Sequence, residues 1–434
     1  MDIQKLQSIV ADQREEILAN DYSEYCSRPE ESQLDLNSNR AQVVIGVRRS
    51  GKSTLCEMFL WRKSINFAYV NFDDERLDGL QTDDLDNLLE ALYMTYGDFK
   101  YLFFDEIQNV AGWPLFVNRL LRQKIHLFIT GSNSKLLSNE LSTHLTGRNN
   151  KVELYPFSFS EFCTIKNVEK TSVSTKSKAL RKVVLLEYLQ QGGFPELLNE
   201  TNRRGYVNGL IDAIIKNDIA HRFKVRNIEA LRRIAAYLAD NYCQEFVAKT
   251  VGELFGVSNH TAENYYSYLK EAFLLVGINR FSYKSKERVR NEKVYVIDTS
   301  FVTDREDNFS LENIGWRLEN IVCIELLRRY KSQFCDVFYY KEDTFQVDFL
   351  VAKDGNVQEL IQVSYDVSNE KTRTREIRGL VNAAKKLKCK NLTLVTFETN
   401  ETIEAEGYTI KAIAATEWLI MQSVHEIFGS SLIF

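Results

Sequence analysis

The stretch AQVVIGVRRSGKSTLCEMFL, residues 41–60, decides how the rest of the chain is read. A short apolar run (Val43, Val44, Ile45) enters Gly46, and after four further residues come Gly51, Lys52, Ser53 and Thr54. This is the strand–loop–helix pattern G-x-x-x-x-G-K-[ST]. Glycines at 46 and 51 let the backbone curl so that its N–H groups, those of Arg48, Arg49 and Ser50 among them, can point at phosphate oxygens. Lys52 is spaced to reach β- and γ-phosphates, and Ser53 to offer its hydroxyl to Mg²⁺. The helix starting near Lys52 adds its positive N-terminal end.

A second apolar run, 101–104, ends in Asp105-Glu106. Behind a phosphate loop, Asp105 is expected to hold Mg²⁺ through water and Glu106 to polarise the attacking water as a general base. Gln108 lies close by, as a water-orienting group or an ordinary loop residue. A further strand, 126–130, runs into Gly131-Ser132-Asn133. Thr130, Ser132 and Asn133 are candidates to sense a γ-phosphate or to cap the next helix. Arg148, in Thr146-Gly147-Arg148, is a candidate arginine finger or intramolecular sensor, because a planar guanidinium suits γ-phosphate charge. Asp73, Asp74 and Glu75 follow a strand at 66–72 and read as a solvated turn.

At 434 residues the chain calls for two to four domains. A net charge of −5 argues against binding nucleic acid through the whole surface and still allows a local basic patch. Seven scattered cysteines without a C-x-x-C pair read as reduced thiols in a cytoplasmic protein. The polar N-terminus does not read as a signal peptide, and no apolar run of about 18 residues suggests a membrane span.

The expected organisation is α/β. An amphipathic helix at 1–20 precedes a phosphate-loop domain at 21–165 and a mostly helical segment at 166–229, interrupted at Gly192-Gly193-Phe194-Pro195. A helix-turn-helix with a wing is expected at 230–300, its second helix capped by Ser258, and an α/β unit at 301–434 with helices at 315–330 and 374–387 and strands at about 337–340, 346–352, 360–363, 392–397 and 408–413. The wing carries Arg280, Lys284, Lys286, Arg288, Arg290 and Lys293 against Glu287 and Glu292, a candidate surface for the phosphates of double-stranded DNA. Glu263 and Glu271 on the second helix argue against that role.

Together these features resemble a family of bacterial and archaeal ATPases that join an AAA-type phosphate-loop domain to a winged helix and a C-terminal domain of the PD-(D/E)XK nuclease type. The resemblance is carried by GVRRSGKST (46–54), FFDEIQNV (103–110), ITGSNSKLL (129–137), LTGR (145–148), GGFP (192–195), YVID (295–298), WRLEN (316–320) and VDFLV (347–351). It implies a RecA-like parallel sheet, ATP with Mg²⁺, a helical lid over the nucleotide, and Arg148 acting in cis or from a neighbouring subunit of an oligomer. The nuclease pattern departs at its centre. Glu319 and Asp348 stand at matching positions, but Gln362 replaces an acid and Ser364 a lysine. Glu359 points to the opposite face of its strand, and a substitute lysine would have to arrive from elsewhere, Lys371 being one example. The expectation is an inactive nuclease-like domain that binds a protein partner or regulates.

Overall fold

Val43, Val44 and Ile45 are fully buried, as are Leu102, Phe103 and Phe104. Continuous apolar runs of this kind belong in parallel strands covered on both faces. The computed structural model describes residues 1–132, 145, 147–284, 292–305 and 313–421. Asn133, Thr146, Lys286, Glu287, Arg288 and Arg290 lie outside them. The chain divides into two compact units, one of residues 1–154 with 271–273, the other of 155–270 with 274–434.

The first unit opens with α1 (Ile3–Ala19). There follow β1 (Ala41–Ile45), α2 (Lys52–Arg62), β2 (Ala68–Asn71), α3 (Leu85–Tyr96), β3 (Tyr101–Asp105), α4 (Trp113–Arg122), β4 (His126–Gly131) and β5 (Asn149–Glu153). The sheet order is β2-β3-β4-β1-β5, and every pairing is parallel. Val44, Leu55, Phe59, Phe103, Phe128 and Val152 meet in its core. Helix α1 buries Leu6, Ile9 and Val10, the face its periodicity predicts. Its Gln13 amide also bonds both backbone groups of Asn71, at 3.0 and 3.1 Å, completing the edge strand β2. The consequence for function is directional. All five strands end on one edge, so β1, β4 and β3 deliver their following residues side by side.

The second unit begins with α5 (Phe159–Ile165), α6 (Thr175–Gln191) and α7 (Arg203–Ala213), the last continuing into a π-helical stretch, Ile214–His221. Next are α8 (Ile228–Asp240), α9 (Ala248–Phe255), α10 (Asn259–Glu271) and an antiparallel pair, β6 (Leu275–Asn279) with β7 (Glu292–Val296). The Ser258 hydroxyl accepts the Thr261 N–H at 3.0 Å, the expected cap of α10. The chain then forms α11 (Ile314–Tyr330), β8 (Asp336–Lys341), β9 (Gln346–Lys353), β10 (Asn356–Ser364), α12 (Glu370–Leu387), β11 (Leu392–Thr396), β12 (Glu401–Ala405) and β13 (Tyr408–Ala414). These six strands make one sheet in the order β12-β13-β11-β10-β9-β8. Strand β12 was not expected; its short polar sequence pairs antiparallel along β13.

Two wing residues depart from expectation. Lys293 is 5% exposed, and Glu292 forms an ion pair with Lys270. The strand period of two puts Lys293 on the same face as Tyr295, both reaching Glu319 on α11, so Lys293 is not a surface phosphate contact. The turn at Gly192-Gly193 also has a reason. Gly192 has φ +72°, and a Cβ there would overlap the Asp298 carboxylate, while the Gly193 N–H donates to Asp298 Oδ2 at 2.7 Å. The GGFP and YVID motifs are therefore two halves of one packing junction.

Candidate active site

The phosphate loop turns on two left-handed residues, Arg49 at φ 69° and Gly51 at φ 90°. Alternation of right- and left-handed residues aims successive N–H groups into one hollow. A Cβ on Gly46 would overlap the Leu154 carbonyl oxygen, so only glycine lets the loop leave β1 beside the end of β5. The Ser50 hydroxyl is buried and has no hydrogen-bond partner among the described residues, an orphan that a phosphate oxygen would satisfy. Arg28, only 5% exposed, donates to the Ser50 carbonyl at 3.3 Å and braces the loop from behind. Arg48 pairs with Asp73 at 3.0 Å, so one member of the acidic turn does touch the loop, whereas Asp74 is held by Arg76 and Gln13. Thr54 follows Ser53 in the first turn of α2.

Lys52 and Ser53 open α2 and face the end of β3. The Lys52 ammonium donates to the Val47 carbonyl at 3.2 Å and lies 3.6 Å from Glu106 Oε1. The Ser53 hydroxyl donates to Asp105 Oδ1 at 2.8 Å. A serine hydroxyl and a carboxylate in contact at the mouth of the loop form an oxygen set suited to Mg²⁺, which takes few protein ligands beside phosphates and water.

Strand β4 contributes most to positioning. Thr130 donates to Asp105 Oδ1, and its oxygen accepts the Glu106 N–H at 3.1 Å. The Ser132 N–H donates to Glu106 Oε2 at 3.2 Å, and Gln108 donates to the same oxygen. Thr130 and Gln108 are thus engaged by the two carboxylates. Glu106 itself takes a left-handed backbone, φ 51°, a conformation a non-glycine residue keeps only where its surroundings enforce it. No sequence signal announced that turn.

The adjacent carboxyls titrate in opposite directions. Burial, and then the charge of Glu106, push Asp105 above the ordinary aspartate range. Burial also works against ionised Glu106, but Lys52, Gln108, Arg48 and Ser132 together outweigh it and hold Glu106 below the ordinary range. Glu106 is the member kept ionised, as a proton acceptor requires.

Arg148 is not brought to this cluster. Its carbonyl accepts the Ala41 N–H at 2.9 Å, immediately before β5 begins, and its guanidinium reaches Asn118 at 3.4 Å. Strands β1 and β5 run parallel, with Ala41 beside Asn149, and the loop leaves from the other end of β1. Four residues at about 3.3 Å each put roughly 13 Å of sheet between Arg148 and the loop. An action of Arg148 on its own chain's loop does not fit this placement.

Comparison with known proteins bears on the domain that holds these residues. Residues 38–163 match the AAA domain family, and residues 182–309 match a domain of unknown function, DUF8612. The uncharacterized protein MJ1544 of Methanocaldococcus jannaschii is 36% identical over 405 residues, covering 89% of each chain. The chain belongs to the family of MJ1544. An uncharacterized protein of Haemophilus influenzae is 32% identical over 394 residues, covering 87% of this chain and 94% of its own. Among solved structures, the Thermotoga maritima RuvB Holliday junction branch migration motor is 15% identical and covers 63% of this chain and 88% of its own. Its TM-score of 0.28 is too low to carry an argument. In this member of the MJ1544 family, the AAA domain match spans the loop, Asp105, Glu106, Ser132 and Arg148. The chain therefore carries an AAA-type phosphate-loop domain, the fold of nucleotide-binding proteins. No described helix is long and apolar enough to cross a membrane.

Proposed function

We propose that this chain is a slow ATP hydrolase that works as a nucleotide-dependent switch. The observation that carries the reading is the joint between β1 and β3. Lys52 lies 3.6 Å from Glu106, and Ser53 and Thr130 both grip Asp105. ATP phosphates lie in the hollow formed by residues 46–54, where Lys52 neutralises them. Ser53 and Asp105 would hold Mg²⁺, which would offset phosphate charge. Glu106 accepts the proton of the attacking water, and Ser132 links that carboxylate to the end of β4. As Lys52 turns to phosphate, its hold on Glu106 weakens and the carboxylate is released toward water. Arg148 acts, in this reading, on the nucleotide of a neighbouring copy in an oligomer.

The finer assignments belong to the same proposal. Residues 166–229 serve as a helical lid, 230–300 as a winged helix and 301–434 as a nuclease-like unit without cleavage activity that binds a protein partner, all in the cytoplasm. The capped helix pair α9–α10 followed by the β6–β7 hairpin supports the winged-helix reading. It also favours a second reading, a DNA-binding regulator that keeps ATP as a structural ligand.

ATP hydrolysis by the purified chain, with and without duplex DNA, separates the two. Turnover abolished in both Lys52→Ala and Glu106→Gln is expected of the hydrolase. Tight ATP binding without turnover, together with salt-dependent DNA affinity, would overturn it in favour of the regulator.

A further inference from the structure

The nuclease resemblance implies a divalent metal between the helix glutamate, Glu319, and the strand aspartate, Asp348. The residues present do not fit one. Among the described residues no group of three or more His, Cys, Asp or Glu side chains is placed to hold a metal ion. A lysine already stands between the two acids. The Lys293 ammonium, carried in on β7, lies 2.6 Å from Glu319 Oε1 and 3.5 Å from Asp348 Oδ1. All three residues are at most 9% exposed.

Other donors also engage these acids. Tyr295 donates to Glu319 Oε1 at 2.8 Å. Asp348 Oδ2 accepts the Val363 N–H at 3.0 Å. Gln362, at the position where the nuclease pattern has an acid, does what a carboxylate cannot. Its oxygen accepts the Asp348 N–H at 3.2 Å while its nitrogen donates to Glu376 Oε2 at 2.8 Å. A carboxylate at 362 would lose that donor and face Glu376 with like charge. Ser364, at the lysine position, donates to the Asp366 carbonyl at 3.2 Å. Lys371 is exposed in the first turn of α12, where its N–H donates to Asn369 Oδ1 at 3.0 Å; the lysine that arrives is Lys293.

We infer that the Lys293 ammonium is a built-in cation that takes the place of a divalent metal between Glu319 and Asp348, sealing that site and clamping the β6–β7 hairpin to α11 and β9. Neighbouring bonds make the same join. The Asn320 amide bonds both the N–H and the carbonyl of Val296 at 2.9 Å, and the Phe281 N–H donates to the Tyr339 carbonyl at 2.7 Å. A buried ammonium between two carboxylates offsets one of their charges without metal, and removing it leaves the acids facing each other without compensation. The inference uses the nuclease-like reading of 301–434 only to say where a metal would sit; the ion-pair geometry stands without it.

Mn²⁺ binding to the full chain, read by electron paramagnetic resonance without nucleotide, tests it alongside urea denaturation. Wild type should bind no Mn²⁺ that Asp348→Asn removes. Lys293→Met should unfold at lower urea and take up one Mn²⁺ per chain, lost again when Asp348→Asn is added. Should Lys293→Met fail to fold, the triple variant Lys293→Met, Glu319→Gln, Asp348→Asn should fold, because all three charges leave together. Asp348-dependent Mn²⁺ in wild type, or a Lys293→Met chain with no Mn²⁺ and an unchanged urea midpoint, overturns the inference. DNA cleavage by wild type that Asp348→Asn abolishes would overturn the inactive nuclease-like reading, whereas the Lys293→Met comparison speaks to the clamp alone.

Discussion

Replacing Thr130 by valine is the most informative perturbation of the nucleotide site. Valine keeps the shape and deletes one hydroxyl, and that hydroxyl serves two buried partners. It donates to Asp105 Oδ1 and accepts the Glu106 N–H at 3.1 Å. A hydrogen bond to a charged group contributes about 1.5–3 kcal/mol, and a buried N–H left without a partner costs about 1–3 kcal/mol. The two terms share one atom and do not simply add, so a stability loss of roughly 2–4 kcal/mol is expected. A second effect falls on chemistry. The Thr130 bond is among the influences that lower the Asp105 carboxyl, against burial and Glu106. Without it Asp105 moves further up, more of it is protonated near neutrality, and Mg²⁺ is held less well. The assay pairs urea denaturation with ATP hydrolysis titrated against Mg²⁺ between pH 6 and 8. Thr130→Val should need more Mg²⁺ than wild type, with the excess largest at pH 6 and shrinking toward pH 8. Thr130→Ser should restore most of both properties. A valine variant with unchanged urea midpoint and Mg²⁺ requirement would refute the reasoning.

Other consequences are equally direct. Glu106→Gln should still bind ATP and hydrolyse it about 10²–10⁴-fold more slowly, measured by single-turnover kinetics. Glu57, on α2, accepts the Tyr22 hydroxyl at 2.8 Å, and burial pushes its carboxyl up to about 7. A raised acid contributes stability that is complete below its unfolded value of 4.5 and lost as pH rises through about 7. Glu57→Gln should therefore flatten that part of the pH profile by ~3 kcal/mol, seen in urea midpoints at pH 4.5 and 8. Gly192→Ala should lose roughly 2–4 kcal/mol, because the methyl meets Asp298 in a left-handed turn. Gly209→Ala, in the exposed middle of α7 with open space around it, should instead gain about 0.5–1 kcal/mol. Thermal denaturation of the two glycine variants checks both signs.

Much of the nucleotide domain could be read from contiguous residues, because its chemistry is local. A glycine-rich loop needs its strand, its glycines and its lysine within a few residues, and those constraints survive in one dimension. The same holds for apolar runs ending in carboxylates and for Ser258 capping α10. The fold of the second unit was legible to the extent that its strands alternate or run apolar. Strand β12 was missed because Glu401, Thr402 and Glu404 give it neither pattern; pairing with β13 alone makes it a strand.

What tertiary structure alone decided is which distant groups share a space. Inserting β4 between β1 and β3 assigned Thr130 to Asp105 and Glu106, and the chain's order does not state that insertion. Parallel strands put every strand start on one edge and every strand end on the other. That direction, and nothing in the residues around Arg148, separated it from its own loop. Lys293 looked like one more charge on a basic wing, yet the alternation of β7 turned it inward to two acids on other elements. Sequence determined that this chain builds a phosphate loop beside a pair of carboxylates, since hydrogen-bonding groups a few residues apart cannot escape one another. Only the folded chain could decide that a buried lysine stands between Glu319 and Asp348, because burial and ion pairing are set by what other elements bring to the same place.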